Sequence, residues 1–165
     1  MFKSALKATE NTKKISKPFL KWAGGKNQLL HEVQRYYPFA NGNITKYAEP
    51  FVGGGAVLFD ILTRYALAAV YISDINAELI HTYCMVRDHI EELIEMLQSM
   101  QHRFIPLEPI ARKAYYRQKR DRFNELKSSG NETTTLEKAA LMIFLNKTCF
   151  NGLFRVNKKG LFNVP

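Results

Sequence analysis

The sequence lacks any apolar run long enough for a bilayer, and it is poor in cysteine, tryptophan and acid. Its longest apolar run, residues 65–72, is far short of the roughly 20 residues that a spanning helix needs. Residues 1–17 are dotted with lysine and hold no apolar core of a secretory leader. Neither membrane insertion nor secretion is expected. The two cysteines, Cys84 and Cys149, flank no metal-ligand spacing, which disfavours a disulfide framework or a metal site and suits a reduced, cytoplasmic setting. Acid is scarce beside base: 15 Asp and Glu face 24 Lys and Arg, for a net charge of +9. Such a balance suggests a polyanionic partner, because a basic surface attracts phosphates and releases condensed counterions. Of the four aspartates, Asp60, Asp74, Asp88 and Asp121, none precedes a proline, and no two of the six prolines are adjacent.

The positive charge is segregated. Residues 1–100 carry 11 Lys and Arg against 10 Asp and Glu, whereas residues 101–165 carry 13 against 5. The expected organisation is a flexible lead-in over 1–16, a nearly neutral domain over 17–100, and a basic region over 101–165. Length allows one ordinary domain, or a small domain and part of another.

Periodicity supplies the elements. A turn at Ala23, Gly24 and Gly25 opens a helix carrying Leu29, Leu30 and Val33, which ends near Pro38 and the Asn41-Gly42 turn signal. Residues 44–49 read as a short strand, 56–65 as a helix, and 69–73 as a buried strand. Strand, glycine turn, helix and strand make a βαβ unit. Residues 76–100 read as two helices with a break near Asp88, and 110–127 as a basic helix interleaved with Tyr115, Tyr116 and Phe123. A polar linker over 128–134 leads to a more apolar helix over 136–149, and the residues around Lys158-Lys159-Gly160 read as a β-hairpin.

Chemistry concentrates at the glycine turn Pro50-Phe51-Val52-Gly53-Gly54-Gly55. Glycines there remove the β-carbons where a ligand meets the backbone, and they turn the chain into a helix N-terminus. Asp74 follows the second strand, 19 residues after Gly55, where an acid can hydrogen-bond ribose hydroxyls. A dinucleotide fingerprint would need a third glycine where Leu58 stands, which speaks against a pyrophosphate ligand and a nucleotide-dependent oxidoreductase. A phosphate-free adenosyl ligand, S-adenosylmethionine, fits better. Lys21-Trp22-Ala23-Gly24-Gly25-Lys26 is not a phosphate loop, because Asn27 rather than Ser or Thr follows the lysine and no glycine stands at the loop's first position. The plain alternatives are a structural turn at the glycines, core packing for Trp22, and a solvated helix start for Lys26.

These segments, Phe19-Leu20-Lys21-Trp22-Ala23-Gly24-Gly25-Lys26, Glu49-Pro50-Phe51-Val52-Gly53-Gly54-Gly55 and Asp74-Ile75-Asn76, resemble in order and spacing the opening motifs of the Dam-type (D12 class) DNA adenine-N6 methyltransferases. The similarity continues through Phe144-Leu145-Asn146, residues 150–157 and Phe162-Asn163-Val164-Pro165. In the basic helix it is one of character only. The resemblance implies an α/β fold, a partial Rossmann-like S-adenosylmethionine-dependent methyltransferase domain with a helical and β-hairpin DNA-binding insertion. It implies that Trp22, Lys26 and Asp74 contact the cofactor, and that the backbone at Phe51, Gly53 and Gly55 closes the pocket. For double-stranded DNA it implies Phe150, Asn151, Leu153, Arg155, Lys158 and Lys159. Arg155 would read guanine, Phe150 and Asn151 would fill the gap left by a flipped adenine, and the hairpin favours GATC. Arg155 as a phosphate-contacting surface charge, Phe150 as core and Asn151-Gly152 as a mere turn remain open alternatives.

Amino methylation in that family uses an Asp-Pro-Pro-Tyr motif after the DNA-binding region, and these 165 residues contain none. Only two strands of the larger sheet are legible, a poor core by themselves. The expectation is therefore a truncated or split enzyme, inactive alone, with a missing C-terminal segment as a further partner. A catalytically dead DNA-binding remnant is the alternative.

Overall fold

The computed structural model describes residues 16–39, 42–129 and 136–165. Most of the expected lead-in, Asn41 of the turn signal and most of the polar linker lie outside the described residues. The first expected helix is divided into a 3-10 turn, Lys26–Leu29, and a short α1, Leu30–Gln34. Leu29 is exposed, while Leu30 and Val33 pack against Phe39, Val57 and Ile61.

The βαβ unit consists of β1 (Lys46–Glu49), α2 (Ala56–Arg64) and β2 (Ala69–Ile72). The strands pair in parallel, with Lys46 opposite Ala69 and Glu49 opposite Ile72. Parallel neighbours need a crossover, and α2 supplies it, burying Val57, Leu58 and Ile61. β2 is less buried than its apolar sequence suggests, for Tyr71 is 62% exposed. Its one partner is β1 in a two-stranded sheet, so its other edge and part of its face are uncovered among the described residues.

Four longer helices follow: α3 (Ala77–Asp88), α4 (Ile90–Phe104), α5 (Pro109–Ser128) and α6 (Leu136–Thr148). Asn76 caps α3 by accepting the Leu79 N–H at 2.9 Å, and Pro109 stands in the first turn of α5, where a missing N–H is harmless. Every residue of α6 from 139 to 146 is buried, which is the pattern of a helix enclosed on all sides. It packs on α3, α4 and α5, and one cluster joins Leu79, Leu93, Phe123, Leu141 and Leu145. The basic helix α5 keeps an apolar stripe, Tyr116 and Phe123, inside that core. The chain end is held by α5: the Asn124 amide brackets the Phe162 backbone at 2.8 and 3.0 Å, and the Tyr116 hydroxyl donates to Val164 O at 2.9 Å. The expected hairpin is a turn closed by one antiparallel bridge, Val156 with Phe162.

An ion pair crosses between α5 and α3, Lys127 Nζ to Glu78 Oε1 at 2.9 Å. Burial would raise the Glu78 carboxyl, but the hydrogen bond and charge of Lys127 outweigh it and hold the group below the usual carboxylate range. A depressed folded-state value stabilises the fold above the ordinary value near 4.3, and that stability is lost as pH falls through the folded value. Lys127→Met is expected to cost about 1–2 kcal/mol at neutral pH. Urea unfolding of Glu78→Gln should show a shallower loss of stability between about pH 5 and pH 3 than the unsubstituted chain, and parallel curves would exclude this contribution.

Candidate functional site

A cavity of about 830 Å³ opens at the C-terminal end of β1, the end at which open α/β sheets hold ligands. Trp22, Lys26, Phe51, Gly53 and Asp74 all line it, so residues from three separate segments converge on one space. Ser73 ties the strand ends together, its N–H donating to Glu49 O at 3.0 Å and its carbonyl accepting the Val52 N–H at 3.1 Å. Asp74 is thereby brought beside the glycine turn. Its Oδ2 accepts the Gly53 N–H at 3.0 Å and its Oδ1 the Asn76 N–H at 3.0 Å. Each carboxylate oxygen has two lone pairs, so the group is fixed in place and still has acceptor capacity on both oxygens.

Gly53 and Gly54 are needed for close approach. A β-carbon on Gly53 would lie 3.2 Å from Trp22 Cδ1, and one on Gly54 would lie 3.1 Å from Trp22 Cβ. The indole therefore lies on bare backbone, half-buried, with its other contact a stacked Phe154 ring at 5.7 Å. Core packing and cavity lining are both true of Trp22. Gly55 does not line the cavity; at φ +80° it makes the left-handed turn into α2. Phe51 stands at the rim, 73% exposed.

Lys26 is not a free solvated charge. Its ammonium lies 2.7 Å from Glu49 Oε1 and also donates to the Phe51 carbonyl, which pins the 3-10 turn to the end of β1. Glu49 is buried and accepts the Tyr47 hydroxyl on its other oxygen at 2.9 Å. Burial, then the Glu49 bond, pushes the Tyr47 phenol upward, which keeps it a donor. The Tyr83 phenol, raised by burial and then by the charges of Glu49 and Asp74, donates to Gly53 O at 3.0 Å. Glu49 and Tyr83 were not singled out in the sequence. The signal for Glu49 was its position as the last strand residue before the glycine turn, and Tyr83 offered none.

The second group of residues surrounds the end of α6. Residues 150–153 form a tight turn with Asn151 at φ 54° and Gly152 at φ 65°, closed by the Leu153 N–H on Phe150 O at 3.3 Å. Two consecutive positive φ values explain the Asn-Gly pair. Phe150 is 65% exposed on this turn and is not core. Leu153 is half-buried, and Arg155, Lys158 and Lys159 are exposed along the terminal turn. Arg155 donates from Nε to Asn163 Oδ1 at 2.9 Å and from Nη2 to Asn163 O at 3.2 Å, leaving three of its five N–H donors facing outward. On α5 much of the positive charge is engaged. Arg122 forms a bidentate pair with Glu137 at 2.8 and 2.9 Å, Arg112 lies over Phe104, and Lys119 lies over Tyr115. Lys113 and Arg117, one helical turn apart, are exposed.

Among the described residues no helix is long and apolar enough to cross a membrane. Comparison with known proteins gives the family. The family model of the D12 class N6 adenine-specific DNA methyltransferases matches residues 22–165. The chain is 51% identical over 151 residues to the type II methyltransferase M.MjaIII of Methanocaldococcus jannaschii, covering 90% of this chain and 51% of that protein. It is 37% identical over 153 residues to the DNA adenine methylase of Escherichia coli K12, covering 92% and 48%. To the type II methyltransferase M1.LlaDCHI of Lactococcus lactis it is 37% identical over 151 residues, covering 90% and 47%. It thus spans about half the length of these relatives. The family model runs over most of the chain, and relatives of 37–51% identity carry the same kind of name: this chain belongs to the D12 class N6 adenine-specific DNA methyltransferases.

Proposed function

We propose that these residues form the cofactor-binding and DNA-recognising portion of an enzyme that methylates adenine N6 in duplex DNA, within GATC, with S-adenosylmethionine as donor. The observation that carries the reading is Asp74, held by the Gly53 and Asn76 amides on the wall of the cavity that Trp22 and Lys26 also line. The space suits an adenosyl group: it is roomy, partly aromatic, and has a carboxylate acceptor with lone pairs to spare for sugar hydroxyls. Asp74 would bind the ribose, the Trp22 face and the Phe51 to Gly54 backbone would enclose the cofactor, and Lys26 would hold the rim in shape through Glu49. Bound there, S-adenosylmethionine supplies an electrophilic methyl group.

In this reading residues 17–100 are the first part of a Rossmann-like domain, and residues 101–165 are the DNA-binding insertion. Lys113, Arg117, Lys158 and Lys159 neutralise phosphates, which sets affinity without sequence preference. The remaining Arg155 donors suit guanine O6 and N7. Phe150 and Asn151, exposed on a rigid turn, suit the space vacated by an adenine rotated out of the stack. The 165 residues contain no Asp-Pro-Pro-Tyr, so they are expected to bind both ligands without turning over unless a segment bearing that motif is supplied.

Calorimetric titration with S-adenosylmethionine, and separately with a GATC duplex, tests the proposal. Micromolar binding of both, with negligible transfer of a radiolabelled methyl group, is the expected result. Binding of duplex alone would instead identify a DNA-binding protein with a vestigial cofactor pocket, and robust unaided turnover would overturn the assignment of catalysis to the absent motif.

A further inference from the structure

The two groups of site residues are joined at one side chain. Asn146, near the end of α6, is 3% exposed. Its Oδ1 accepts the Lys21 N–H at 2.9 Å, and its Nδ2 donates to Lys21 O at 2.8 Å and to Gly152 O at 2.8 Å. One amide thus pairs with the backbone of the segment that leads into Trp22, and with the backbone of the turn that displays Phe150 and Asn151. Two further contacts close the same junction. A β-carbon on Gly152 would lie 2.5 Å from Lys21 Cβ, so the segments touch backbone to side chain, and Trp22 stacks on Phe154 at 5.7 Å with planes 23° apart.

We propose that Asn146 is a positioning residue that locks the turn at residues 150–153 to the cofactor loop at residues 21–26, so that a ligand at either site pre-orders the other. The proposal rests on the function proposed above. Only an amide offers one acceptor and two donors in a plane; an aspartate keeps the acceptor and loses both donors. A ligand that orders residues 21–26 also orders the turn, and the second ligand then meets a segment whose ordering cost has been met. Such coupling is reciprocal, so the factor by which cofactor tightens DNA binding equals the factor by which DNA tightens cofactor binding.

The test uses the chain's one tryptophan, Trp22, whose fluorescence reports the cofactor site directly. Affinity for S-adenosylhomocysteine is measured by Trp22 fluorescence with and without a saturating 20-base-pair GATC duplex, and duplex affinity by anisotropy with and without S-adenosylhomocysteine. The expected coupling factor is about tenfold in the unsubstituted chain and about one in Asn146→Asp. Phe154→Leu, which removes the stacking without leaving a buried polar group unpaired, should reduce it to an intermediate value and serves if Asn146→Asp fails to fold. Ile61→Val, a mild core truncation away from the junction, should lower stability and leave the factor unchanged. Both ligands binding the unsubstituted chain with no coupling, or a factor unaltered in the folded Asn146→Asp and Phe154→Leu chains, would overturn the proposal. Failure of the unsubstituted chain to bind either ligand would overturn the proposed function and with it this role for Asn146.

Discussion

Asp74→Ala is expected to weaken S-adenosylmethionine binding by about a hundredfold while leaving duplex affinity within about twofold in the absence of cofactor. A hundredfold is the lower end of what two hydrogen bonds between ribose hydroxyls and a carboxylate supply, each worth about 1.5–3 kcal/mol, with every 1.4 kcal/mol amounting to about tenfold. The substitution also removes the partners of the Gly53 and Asn76 amides, so some loss of fold stability accompanies the loss of affinity. Asp74→Asn separates the two effects. Its carbonyl oxygen can still satisfy one amide, and its shape is unchanged, but it has no charge and fewer acceptors for the sugar. Its unfolding midpoint should lie between those of the unsubstituted and Asp74→Ala chains, since one of the two amides keeps its acceptor, while cofactor affinity falls at least tenfold. Calorimetry at a temperature where all three chains are folded checks this. An Asp74→Ala chain that binds within twofold of normal would remove the ribose assignment, and with it the observation on which the proposed function stands.

Gly55→Ala is expected to destabilise the fold strongly although it adds a single methyl group. Gly55 adopts φ +80° at the start of α2, a conformation that costs other residues about 1–2 kcal/mol. Its β-carbon would also lie 2.5 Å from the Tyr83 hydroxyl and 2.9 Å from the Phe59 ring. The Tyr83 hydroxyl cannot withdraw freely, since it is bonded to Gly53 O, and overpacking of this kind adds about 1–3 kcal/mol. A total of about 2–5 kcal/mol is a large share of the roughly 5–15 kcal/mol that holds a typical domain. Gly160→Ala is the matched comparison: it has φ +75° but nothing within 4 Å of its β-carbon, so it should lose only the conformational part. Urea unfolding of both variants distinguishes the terms, and equal losses would show that the crowding at Gly55 contributes nothing.

Several elements were legible from local pattern alone. The helix over 56–64, the break between two helices at His89 and the basic helix lie within a residue or two of where spacing and capping put them, because helical periodicity and turn chemistry act over a few residues. The second of the two helices runs on to Phe104, past the expected end at 100. The pairing of the glycine turn with Asp74 was readable too, since a βαβ unit returns the chain to the neighbouring strand after a short crossover. What misled was the burial of β2. An apolar run states what could be covered, not whether a neighbour is present to cover it. The basic helix was read by charge, and charge does not reveal that Arg122 and Lys127 are spent on Glu137 and Glu78, leaving Lys113 and Arg117 exposed.

The residue types of the site, their order along the chain and the family were determined by the sequence itself, through motifs whose spacing is short and whose chemistry is local. The junction between the two halves of the site was decided by packing. Asn146 and Lys21 are 125 residues apart, and no periodicity or motif spans that distance. They meet because α6 is enclosed by α3, α4 and α5, a burial that places its one buried polar residue opposite two backbone segments and leaves hydrogen bonds to them as the means of satisfying that residue away from water.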